Sequence, residues 1–253
     1  MKKLLPCLMC ATLLLGLARA QSQKTAASAN SKKPPTSFTE KLLKFFGISE
    51  SPGTLKGPGD EVSSGQVWLV DLQSSTRRAL TSSDGYRSPI FLAGSNDVLA
   101  LRGTEVVRVP KSGGEGKRLY VVDGILKLVA SSSDDPSTVL ILQRGDSGGH
   151  PRVGLLQVAT GAVTPLPYNP ASSQDLQMVE DLTSWSRAYG DRQVYVQRQV
   201  KQALSGKVEW SDVFLQSGDR PPVDVSKCDG VNCGQPSLSP DGRSLAFVKA
   251  QSE

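Results

Sequence analysis

The chain has 253 residues, 38% of them hydrophobic and 21% charged, which is enough for one good-sized domain with its own core and demands no second one. Its formal net charge of +5 hints at a polyanion partner, yet residues 61–253 carry 20 basic and 21 acidic side chains. The excess is N-terminal, so no nucleic-acid partner is expected of the folded part.

Residues 1–20 combine a basic start (Lys2, Lys3), an apolar run from Leu8 to Leu17 and Ala18-Arg19-Ala20 before Gln21. This is the layout of a signal peptide with its cleavage site, and it predicts a periplasmic or secreted bacterial protein. The apolar run falls short of the ~20 residues of a membrane span. Acylation at Cys10 is the rival reading, but Met9 before it is bulky where lipoprotein signals want a small residue.

Residues 21–60 read as a flexible tether, polar and low in complexity up to Pro34-Pro35 and rich in Gly and Pro from 49 to 60. One short amphipathic helix over 37–46 interrupts it. Ser37-Phe38-Thr39-Glu40 forms a capping box, and Gly47 ends the helix. Phe38, Leu42, Leu43, Phe45 and Phe46 need a surface to bury against. Docking on the following domain is the expectation, with peripheral membrane contact through 37–46 as the alternative.

From 61 to 250 the pattern is short β-type runs between Gly, Asp, Ser and Pro clusters, with a helix signal only near 173–182. The clearest runs are Gln66 to Leu72, Val139 to Leu142, Val153 to Val158, Gln193 to Gln197 and Ser244 to Val248. Several are apolar at successive positions, as in strands covered on both faces. Of four cysteines, Cys228 and Cys233 remain once the leader is cut. They flank an Asp-Gly turn, and in an oxidising compartment a loop disulfide is expected of them. The redox or zinc alternative lacks ligands, since His150 is the one histidine.

The runs recur with a period of about 45 residues, which suits one propeller blade. The plainest copy, Gly234 to Val248, is strand, turn (Ser239-Pro240-Asp241-Gly242) and strand. This segment resembles the blade repeat of TolB-type propellers, and Gln66 to Thr81 resembles the other half of that repeat. Three worn copies lie between them, starting near Arg87, Ile125 and Val179. The resemblance implies an all-β propeller of about four blades, the last closed by strands from both ends of the domain, with a fifth blade only if 168–225 hides one. TolB-type proteins have about six blades behind an α/β domain, so the role carried over is only that of the class: binding a protein or peptide partner in the cell envelope, without a cofactor and without catalysis.

An enzymatic alternative rests on Arg144-Gly145-Asp146-Ser147-Gly148-Gly149, which is similar to the nucleophile segment of serine hydrolases. A histidine base must stand beside Ser147, and His150 follows it by three positions in what reads as an ordinary turn. No hydrolase domain is expected after the repeats. A structural surface protein anchored by the N-terminal helix is the third reading. Asp134-Asp135 and Glu180-Asp181 could hold calcium at a channel mouth but lack an oxygen-ligand ladder, so no metal is assigned. Trp68, Trp185 and Trp210 are expected in the core between sheets.

Overall fold

The computed structural model describes residue 46 and residues 62–251 except 96, 133–134, 146–148, 150, 168–186 and 205. The chain divides into two units, Met1–Pro35 and Thr36–Glu253, and all described residues belong to the second. The signal peptide, the tether, the helix expected near 173–182 and all of the 37–46 helix but its last residue lie outside the described residues.

The described elements are strands only: β1 (Gln66–Asp71), β2 (Thr76–Ala79), β3 (Tyr86–Phe91), β4 (Val98–Arg102), β5 (Glu105–Val109), β6 (Lys117–Val121), β7 (Ile125–Ser131), β8 (Thr138–Gln143), β9 (Arg152–Gln157), β10 (Val163–Pro165), β11 (Arg187–Tyr189), β12 (Arg192–Ala203), β13 (Gly206–Ser217), β14 (Val223–Asp224), β15 (Cys233–Leu238) and β16 (Ser244–Lys249). They form four antiparallel sheets of four strands, β3-β4-β5-β6, β7-β8-β9-β10, β11-β12-β13-β14 and a composite, β15-β16-β1-β2. In the composite, β1 pairs with β16 along its whole length, Trp68 opposite Phe247 and Asp71 opposite Ser244. The two ends of the domain thus share one sheet.

The sheets pack in a series: β11–β14 against the composite, the composite against β3–β6, and β3–β6 against β7–β10. In each step the first strand of one sheet touches the first strand of the next, β11 with β15, β15 with β3 and β3 with β7. Pleat alternation explains how one strand serves two interfaces. In β4, Val98 and Ala100 face the composite sheet with Val67 and Ala246, while Leu99 and Leu101 face Leu128 and Ile141 of the next sheet. In β16, Ala246 belongs to the first of those cores, whereas Leu245 and Phe247 pack on Val194 and Val213. Strands with two covered faces need apolar residues at every position, which is why β8 and β16 read as unbroken runs. The outer strand β2, Thr-Arg-Arg-Ala, is exposed throughout, and charge on an edge discourages pairing with other chains.

Polar side chains stitch the inner strands across the sheet boundaries. Gln235 of β15 accepts from the Ser88 amide of β3 and donates to the Val62 carbonyl. Arg87 donates to the Leu126 carbonyl and, at 3.1 Å, to that of Ile125. Ser131 donates to the Phe91 carbonyl at 2.7 Å. Arg192 reaches the Gly242 carbonyl. Ser88 and Gln235 both sit at positive φ (50° and 53°) just before a proline, where each first strand bulges. The equivalent strands therefore share a left-handed step, a conformation that costs a non-glycine residue about 1 kcal/mol or more.

The outer face of β7–β10 is also apolar, and Phe46 covers it, 5% exposed among Val129, Leu140, Leu142 and Val153. Of the two partners considered for the 37–46 segment, this one residue is on the protein. Trp68 packs at the edge of the core between the composite and β11–β14. Trp210 is half-buried where β12 and β13 leave the body, and its indole N–H donates to Asp212 at 2.6 Å. Trp185 lies outside the described residues.

Candidate functional site

The turn Ser239-Pro240-Asp241-Gly242 is built as its residue types require. Gly242 donates its amide to the Ser239 carbonyl at 2.8 Å. Pro240 presets the first corner, and Gly242, at φ 67°, takes the left-handed position that a side chain would disfavour. Ser239 Oγ donates to Asp241 Oδ1 at 2.6 Å and accepts from the Ser244 amide at 2.8 Å. The Arg243 amide donates to the same carboxylate oxygen at 3.0 Å.

This turn forms one wall of a cleft of about 250 Å³ between the composite sheet and β3–β6. The opposite wall is the end of β3 and its turn, Phe91, Gly94 and Ser95, and the floor side is Lys111 from the turn between β5 and β6. Antiparallel alternation brings both turns of β3–β6 to the same end of that sheet. Arg108 fixes the second wall, donating to Asp97 at 2.5 Å and to Ser95 Oγ at 3.2 Å. Gly94, at φ 69°, stands where an added Cβ would meet Pro136 at 3.6 Å, so the neighbouring sheet buttresses the wall from behind.

The electrostatics of the cleft are paired. The Ser239 hydroxyl, the Arg243 amide and then the Lys111 charge hold the Asp241 carboxyl below the usual carboxylate range. At Asp71 the amides of Ser74 and Gln73 do the same, again with help from Lys111. The Lys111 charge thus adds to the hydrogen bonds that favour the ionised form of both carboxylates. Phe91 and Pro240 supply apolar surface beside these charges. A ligand with apolar bulk and both donor and acceptor groups, such as an extended peptide, matches that lining.

The other residues singled out from the sequence fall elsewhere. Cys228 and Cys233 lie at disulfide distance, with Cα atoms 6.3 Å apart. Cys233 opens β15 while Ser239 follows its end, so the pair is at the far end of the composite sheet from the cleft. Behind it Asp212, 3% exposed, accepts from the Cys228 amide at 2.7 Å and the Ser226 hydroxyl at 3.0 Å. Asp146, Ser147, Gly148 and His150 lie outside the described residues, as do Asp134 and the Glu180-Asp181 pair. Asp135 serves its own turn, accepting from the hydroxyls of Ser137 and Thr138. Among the described residues no group of three or more His, Cys, Asp or Glu is arranged to hold a metal ion.

Lys111, Phe91, Gly94 and Ser95 were not legible as site residues. The only sequence signal near Lys111 is the Pro110-Lys111-Ser112-Gly113-Gly114 turn cluster. No protein-family model matches the chain, and no curated protein matches it.

Proposed function

We propose that this chain is an exported β-propeller of the TolB-type kind that acts as a non-enzymatic binding module, holding a segment of an envelope protein or peptide in the cleft between Lys111 and Asp241. The observation that carries the reading is the convergence of three turns from two sheets on one cleft that sets Phe91 and Pro240 beside Lys111 and Asp241. Recognition surfaces built from loops on a rigid scaffold have this form. The propeller part is supported by the composite sheet and by the first-strand-to-first-strand packing order. A ring of four blades would need the β7–β10 sheet to pack on the β11–β14 sheet as well. Export is supported by the composition of residues 1–20 and by the cysteine pair, which suits an oxidising compartment.

Capture from envelope extracts with the full chain and with Lys111→Glu tests the binding role. Lys111 is a partly exposed turn residue, so the substitution leaves the fold intact and inverts the charge at the cleft. The reading expects a protein or peptide retained by the parent chain and lost from the variant. An identical set of retained proteins on both, or none on either, overturns it.

A further inference from the structure

The hairpin of β12 and β13 is twice as long as the sheet that holds it. β11 pairs only with Arg192 to Val194, and β14 only with Phe214 and Leu215. Among the described residues, the ties to the body reach as far as Ser211, through Asn232 at 3.0 Å and the Cys233 carbonyl at 2.9 Å. From Gln199 opposite Trp210 to Ala203 opposite Gly206, the ladder has no third strand among the described residues. That is an arm of about 17 Å at ~3.4 Å per residue. Among the described residues its ion pairs are internal, Glu209 meeting Arg198 and, at 2.5 Å, Lys207.

Its apolar groups are placed unusually. Leu204 caps the tip, fully exposed, and Val200 and Val208 are 53% and 39% exposed. Val200 pairs with Glu209 and Val208 with Lys201, so the two valines project from opposite faces of the ribbon. A protein partner covers one face of such a ribbon, whereas lipid surrounds it. The charge is also localised. The arm carries Arg198, Lys201 and Lys207 against one acid, Glu209. A positive, apolar-tipped arm is drawn to an anionic surface.

We infer that this hairpin is an interfacial anchor that seats the domain on an anionic bilayer surface. Leu204 enters the boundary between headgroups and acyl chains, the valines follow on either side, and Lys201, Lys207 and Arg198 extend back to lipid phosphates. The anchor is reversible, because one leucine and two valines are less apolar surface than stable insertion needs. It uses a surface separate from the Lys111 cleft, so either reading can fail alone.

Flotation of the full chain with vesicles of phosphatidylcholine, with and without about one third phosphatidylglycerol, tests the anchor. Binding is expected on the anionic vesicles only and is expected to fall steeply with salt. Leu204→Ser is expected to weaken it about tenfold, and Lys201→Gln with Lys207→Gln by at least about tenfold, at roughly fivefold per cation. All three residues are exposed, and an unchanged urea midpoint confirms that each variant is folded. Equal flotation of parent and variants, as a contact through the N-terminal 46 residues would give, overturns the inference. So does binding that ignores lipid charge, an absence of binding, or self-association or capture of an acidic protein that depends on Leu204 while vesicle binding does not.

Discussion

β16 and β13 are both central strands paired on each side over part of their length, yet their surroundings are opposite. From Ser244 to Val248 every residue of β16 is buried, because each of its faces meets another sheet. β13 is buried only from Ser211 to Val213 and emerges on either side of that stretch. The same backbone ladder therefore carries two kinds of information. In β16 the side chains are fixed by packing on both sides, and in the arm, among the described residues, the hydrogen-bonded register and a few cross-strand pairs hold the ribbon in shape. Sequence constraint follows packing and not strand length.

The largest test of that contrast is Phe247→Ala, which opens a void between the composite sheet and β11–β14 and is expected to cost about 3–5 kcal/mol in urea unfolding. Replacing Cys228 and Cys233 together by serine is expected to cost about 2 kcal/mol, the loop-closure value for so short a ring. Refolding under reducing conditions should show the same loss. A smaller effect, lost in acid, is expected at Glu115. Its carboxylate accepts from the hydroxyls of Ser82, Ser83 and Tyr86 and is drawn from 4.5 down to about 2. A depressed carboxyl stabilises the fold above its unfolded pKa and loses that contribution as pH falls through the folded one. Glu115→Gln should therefore be less stable than the parent chain at pH 7, with the gap closing between about pH 4.5 and 2. Least of all, Leu204→Ser should move the urea midpoint by no more than about 0.5 kcal/mol. A large loss there would mean that the arm is packed after all and that its resemblance to a free ribbon is misleading.

The strands buried on both faces were legible because burial forces unbroken apolar runs: Val139 to Leu142 lies in β8 and Ser244 to Val248 in β16. The run from Gln193 to Gln197 located β12 but not its length. Between Val196 and Ala203 the residues are polar or exposed, so no periodicity marks the extension, and register with Gly206–Ser217 defines it. Ser239 to Gly242 was legible as a turn because proline and glycine act locally. Its role as a cleft wall was not, since Phe91 and Lys111 reach it through pairing that no short window contains. Asp212 shows the same limit. A carboxylate within a strand reads as a solvent face, whereas here it is buried and accepts from Trp210, Ser226 and Cys228.

The bond between Gln235 and Val62 spans 173 positions of the chain. The other three sheets are assembled from consecutive strands, each step closing a short loop, so they can form while synthesis is still under way. The composite cannot, because β1 has no partner on its β16 side until the last strand has emerged. A nascent chain therefore carries an open apolar edge for nearly its whole passage, and a truncation that removes β16 alone leaves that edge exposed for good, a substrate for proteases and chaperones instead of a slightly smaller protein.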